Sequence, residues 1–145
     1  MSSAADETAR IGSTCQFTAA LRHVESTLPD PIMVDHLAVH LCGEAALKLA
    51  QKEIRDLQAS QGPGKHLRVP ARTRILEDWL VQELKQLAEP PLRQGGGSQE
   101  VQVVSLGSGL DTRPWRLEFP KEVDVHWICM DFPEVRVKLH VWSHR

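Results

Sequence analysis

The chain contains no Cys-x-x-Cys pair, no long apolar run and no marked excess of charge of either sign. Its three cysteines, Cys15, Cys42 and Cys129, are odd in number and far apart. That spacing argues for free thiols in a reducing compartment and against a disulfide framework or a thiolate metal site. The apolar stretches fall far short of the ~20 residues that span a bilayer. The opening Met-Ser-Ser-Ala-Ala-Asp-Glu is acidic and without an apolar centre, so no secretory signal is predicted and the expected location is cytoplasmic, with no membrane partner. A net charge of −2 gives no bulk attraction to nucleic acid or anionic lipid. The local basic cluster Lys65, His66, Arg68, Arg72 and Arg74 lacks the interleaved aromatics of a nucleic-acid surface, so no nucleic-acid partner is expected.

What is present fits a globular chain, with 41% hydrophobic and 25% charged residues over a length of 145. Residues 1–14 read as a flexible N-terminus and residues 15–93 as a helical part. Residues 94–99, with the run Gly95-Gly-Gly97, read as a connector, and residues 100–145 as an α/β part. Apolar residues Phe17, Leu21, Val24 and Leu28 predict a helix over 15–28 that Pro29 and Pro31 end. A second helix is expected from about Val34 to Ala59, with Leu37, Leu41, Ala45 and Leu49 on one face, broken by Gly62-Pro-Gly64. A third, from about Arg72 to Ala88, carries the clearest stripe: Ile75, Leu76, Trp79, Leu80, Leu84 and Leu87, with Glu77 turned mostly away.

Strands are expected over 101–106 and 125–130, each followed by a feature with chemical meaning. After the first come Gly107, Ser108 and Gly109, where glycine permits a sharp turn and lets a ligand touch the main chain. After the second comes Asp131, 22 positions beyond Gly109, with oxygens free for two ribose hydroxyls. A dinucleotide loop would have a third glycine at position 112, but Thr112 stands there and Asp111 precedes it. An acid suits a ligand with a positive end better than it suits a pyrophosphate, which disfavours a nicotinamide-dependent dehydrogenase. Asp111 could equally cap the next helix, in which Pro114 is an early residue. His36 and His40 share helical spacing, but position 37 is Leu and no third ligand is evident, so no metal is assigned.

The stretch Leu106-Gly-Ser-Gly-Leu-Asp-Thr-Arg-Pro-Trp-Arg-Leu117, with Met130-Asp-Phe-Pro-Glu-Val135 and Lys138-Leu139, resembles the leucine carboxyl methyltransferase family. Upstream, Phe17 to Ser26, Pro29-Asp-Pro31 and Asp35-His-Leu-Ala38 resemble its amino-terminal lid, and Pro70 to Leu80 its lead-in helix. The resemblance covers most of residues 15 to 140. It implies a doubly wound, Rossmann-like class I methyltransferase fold of α/β class with a helical lid, and S-adenosyl-L-methionine as cofactor. By the same resemblance Arg72 would bind the cofactor carboxylate, with Arg74 a weaker candidate. Gly107, Ser108, Gly109, Asp111 and Asp131 would complete the cofactor site. The methyl acceptor implied is a carboxylate of a small molecule or a protein, and no catalytic residue can be named.

A complete core of that kind has about five parallel strands and on the order of 200 residues or more. Two strands are visible here, so the chain is expected to carry the cofactor-binding front part of such an enzyme. An alternative is a shortened, non-catalytic interaction module that self-associates through open strand edges.

Overall fold

The computed structural model describes residues 4–62, 67–89 and 98–132. Helix α1 (Ala4–Ser26) begins well before the expected start, inside the segment read as a flexible N-terminus. Its last turn closes through the Thr27 and Leu28 amides onto Val24 and Glu25, and the prolines beyond cannot extend it. The second expected helix is two: α2 (Ala38–Cys42) and α3 (Glu44–Gln61). Gly43 separates them at φ 74° and ψ 159°, a region essentially closed to residues with a Cβ. The break shifts the buried face. Ala38, Cys42, Ala50 and Ile54 pack inward with Ala19, Ala20 and Leu21 of α1, whereas Leu49 of the expected face is 56% exposed.

Helix α4 (Arg68–Ala88) starts a turn earlier than the periodicity predicts. Pro70 is its third residue, where a helix has no use for the missing N–H. The predicted stripe is buried only in part: Leu84 is enclosed, but Ile75 is 67% and Trp79 59% exposed, and Glu77, expected to turn away, is buried. Its charge is balanced there by pairing with Arg116. Prolines 90 and 91, most of the 94–99 connector, and Lys138 with its neighbours lie outside the described residues.

Strands β1 (Gln99–Leu106) and β2 (Val123–Met130) pair in parallel, in register from Gln99 with Val123 to Leu106 with Met130. A parallel pair requires a crossover, and residues 107–122 supply it with the single-turn helix α5 (Arg113–Arg116). The architecture is the mixed helix-and-parallel-strand arrangement expected of the front of an α/β methyltransferase fold. Pro114 sits early in α5, as predicted, and is buried. Alternate strand residues Val104, Leu106, Ile128 and Met130 leave one sheet face open.

The helical part and the strand part are joined through one carboxylate. Asp35 is fully buried, and its Oδ2 accepts from Arg22 Nε at 2.8 Å and from Thr112 Oγ1 at 2.6 Å. Its Oδ1 accepts the amides of Leu37 and Ala38 at the start of α2. Arg22 also donates to the Leu110 carbonyl at 2.7 Å, and Arg116 bridges Thr112, at 3.0 Å, to Glu77. Two cations and two anions thus balance inside the fold. Burial alone would raise the Asp35 pKa, but the bonds from Thr112 and Arg22 and the charges of Arg22 and Arg116 outweigh it and hold the group below its ordinary range.

Replacing Asp35 by Ala strands a buried guanidinium, so unfolding in urea is expected to show a loss of about 3–5 kcal/mol at neutral pH. A depressed carboxylate stabilises above its unfolded pKa and stops doing so as pH falls through the folded value. The difference between wild type and Asp35→Ala should therefore narrow only below the ordinary carboxylate range; a gap constant down to strong acid would refute this assignment.

Candidate functional site

Because β1 and β2 run parallel, their carboxyl ends lie together, and the loop after β1 is anchored residue by residue. Gly107 and Gly109 adopt φ 60° and 57°, the left-handed conformation in which a side chain is strained. The Ser108 amide donates to the Met130 carbonyl at 3.2 Å and the Gly109 amide to Asp131 Oδ2 at 2.6 Å, stitching the loop to the end of β2. A Cβ at Gly109 would come within 3.2 Å of Cys15 Sγ, so α1 touches the loop there, whereas one at Gly107 would meet nothing. Leu110 is then buried in the helical core.

Beside this loop is a cavity of about 450 Å³ walled by α1, α4, the end of β1 and the loop, a size ordinary for small-molecule sites. Of the six residues the sequence nominates, Arg72, Gly107, Ser108 and Asp111 line it together. Gly109 and Asp131 are not among its lining residues; they bond to each other instead. Asp131 Oδ1 accepts the Phe132 amide at 2.7 Å, so each oxygen has one protein donor and retains a second lone-pair direction. Arg74 does not line the cavity and is paired with Asp78 on the exposed side of α4.

The cavity also holds Arg22, Arg113 and Arg116, none of which the sequence pattern singled out. Arg22 and Arg116 belong to the buried network on Asp35 and Glu77. Arg113 clasps Asp111, with Nε to Oδ1 at 2.8 Å and Nη2 to Oδ2 at 2.7 Å. Burial would lower the Arg113 pKa, but these bonds and the Asp111 charge raise it. Asp111 also accepts the Arg113 amide at 3.0 Å, so it turns the chain into α5 without sitting at the cap position, which Thr112 occupies. Arg72 has no ion-pair or hydrogen-bond partner among the described residues. It is the cavity's one uncommitted charge.

Cys42 and Cys129 both have raised pKa values, first through burial, so neither is an activated thiolate. His36 and His40 are exposed. No described helix is long and apolar enough to cross a membrane.

A glycine loop stitched to an acid at the end of a neighbouring parallel strand is the arrangement found at the nucleotide-binding crevices of α/β proteins. The model of the family described as leucine carboxyl methyltransferase matches residues 16–138, and the chain belongs to that family. The cofactor of the family is S-adenosylmethionine. A protein of Mycolicibacterium vanbaalenii named "Putative S-adenosyl-L-methionine-dependent methyltransferase" is 30% identical over 142 residues, covering 90% of this chain and 42% of the relative. One from Mycolicibacterium gilvum, of the same name, is 34% identical over 136 residues, covering 90% and 41%. The chain therefore spans about two fifths of the length of the curated relatives it matches.

The two glycines should respond differently to a methyl group. Gly107→Ala meets only backbone strain, about 1–2 kcal/mol, while Gly109→Ala adds the Cys15 contact. Thermal melting should rank Gly109→Ala as the more damaging, with Cys15→Ala recovering part of the loss; equal costs would mean that α1 does not bear on the loop.

Proposed function

We propose that the cavity binds S-adenosylmethionine and that the protein takes part in methyl transfer to an oxygen nucleophile, with a carboxylate as the acceptor class. The observation that carries this reading is Arg72, exposed and without a partner among the described residues, lining the same cavity as Gly107 and Ser108 of the glycine loop. A planar guanidinium without a partner matches a carboxylate bidentately, and the cofactor's amino-acid end brings one. The main chain of Gly107, Ser108 and Gly109 would accommodate the nucleoside, Asp131 would receive ribose hydroxyls on its remaining lone pairs, and Asp111 would face the ammonium.

The sulfonium supplies an electrophilic methyl group when the cofactor is bound. What the protein has to contribute is alignment of donor and acceptor and exclusion of water. A carboxylate acceptor is ionised at neutral pH and needs no general base. The family name supports a carboxylate on a small molecule or a protein as the acceptor. The three cysteines, with no disulfide among the described residues, support a reducing compartment, the cytoplasm, as the setting.

Calorimetric titration with S-adenosylmethionine and with 5′-methylthioadenosine, which lacks the amino-acid end, tests the assignment. Arg72→Ala should weaken the first by roughly tenfold to a hundredfold, the worth of a charged hydrogen bond, and leave the second unchanged. No saturable binding by the unaltered chain, or equal losses for both ligands, would refute it.

A second reading is self-association of an interaction module, favoured by the open sheet face of Val104, Leu106, Ile128 and Met130 and by strands that each have a single neighbour among the described residues. Sedimentation should then show a dimer that Val104→Glu or Ile128→Lys dissociates. A monomer at all concentrations would exclude it.

A further inference from the structure

Among the described residues Asp111 is the only acid lining the cavity, and its acceptor capacity is filled. A carboxylate offers about four lone-pair sites. Oδ1 accepts from the Arg113 amide and Nε, and Oδ2 from Arg113 Nη2 and, at 3.3 Å, from Ser105 Oγ. An ammonium has donors only, so it can reach Asp111 only by taking sites that other donors now hold. Two of those donors belong to fixed elements, the amide that opens α5 and the hydroxyl in β1. The other two belong to one mobile side chain, the Arg113 guanidinium.

That guanidinium has a second contact besides Asp111. Its carbon lies 5.6 Å from the centroid of the Trp127 ring on β2, within cation–π range. Its side chain is 22% exposed against 6% for Asp111, so water can reach it while the carboxylate stays enclosed. Leaving Asp111 therefore does not strand the cation.

Resting on the reading of the cavity as an S-adenosylmethionine site, we infer that Arg113 is its specificity-determining residue. It is a counter-ion that holds Asp111 until a ligand's own ammonium displaces it. Only a ligand that brings a positive group as well as a carboxylate competes with Arg113 for Asp111, so Arg113 lowers the affinity for such ligands and leaves that for a plain acid unchanged.

The test compares S-adenosylhomocysteine with its desamino analogue, the same thioether ending in a butanoate, by calorimetry on the full chain. Arg113→Gln removes the competitor and should tighten the amino-acid ligand by about fivefold, in line with a partly exposed ion pair, without tightening the analogue. Asp111→Asn, which keeps Arg113, should weaken the amino-acid ligand and not the analogue, and Arg113→Lys should fall between wild type and Arg113→Gln. If Arg113→Gln weakens both ligands by the same factor, or the ratio of the two affinities is unchanged in all three variants, Arg113 is a structural brace and the inference fails while the cavity assignment stands. If wild type binds neither ligand, the assignment fails and the inference with it.

Discussion

The arrangement depends on the Asp35 carboxylate. It lies on the connection between α1 and α2, yet its two oxygens bind α1 through Arg22, the start of α2 through two amides, and the crossover through Thr112. Without it, the helices and the strand pair would share mainly the Leu110 contact and the pairing of Arg116 with Glu77. A buried charge is costly unless it is both paired and hydrogen-bonded, and this one is both. Such a group punishes misplacement, so it fixes the position of the crossover on the helices more sharply than small apolar side chains such as Ala19, Ala20 and Ala38 can.

That fixing determines the charge pattern of the cavity. Among the described residues four arginines reach its wall, but Asp35 and Glu77 absorb two and Asp111 clasps a third. The remaining charge is Arg72, one turn into α4 and lining the same cavity as the glycine loop. Glu77 of the buried network and Arg72 of the cavity wall thus stand on the same helix, five residues apart.

The loop was legible in the sequence because its constraints are local. Gly107 and Gly109 are needed where φ is positive, and the Asp131 position follows from two strands of equal length running parallel. The strand ends came out within two residues for the same reason. The face of α1 was legible, Leu21 being buried with Phe17 and Val24 packed on the same core, but those of the later helices were legible only in part. Periodicity assumes that apolar residues alone turn inward, and in α4 Glu77, paired with Arg116, shares the inward side with Leu84 while Ile75 and Trp79 stay outside. In α2 and α3 a single glycine, Gly43, resets the phase of the stripe. The signal that could have exposed the network was Arg22, a charged residue directly following Ala19, Ala20 and Leu21 on the apolar side of its helix.

Asp111 shows where sequence reasoning and geometry meet at an angle. Read from the chain, it is an acid offered to a cationic ligand or a cap for the next helix. In three dimensions it is already paired with a residue two positions on, a spacing at which neither periodicity nor motif matching looks for an ion pair. A carboxylate so close to a guanidinium is not an empty receptor for charge. It can act as one only by exchange, and an exchange has a direction set by what each cation gains. The guanidinium is part-exposed to water and lies over the Trp127 ring, whereas an enclosed ammonium gains the one carboxylate that lines the cavity among the described residues. On that balance the clasp opens to a zwitterionic amino-acid end and stays closed to a plain acid; Asp111 supplies the preference for the ammonium, and Arg113 sets how much of it a ligand realises.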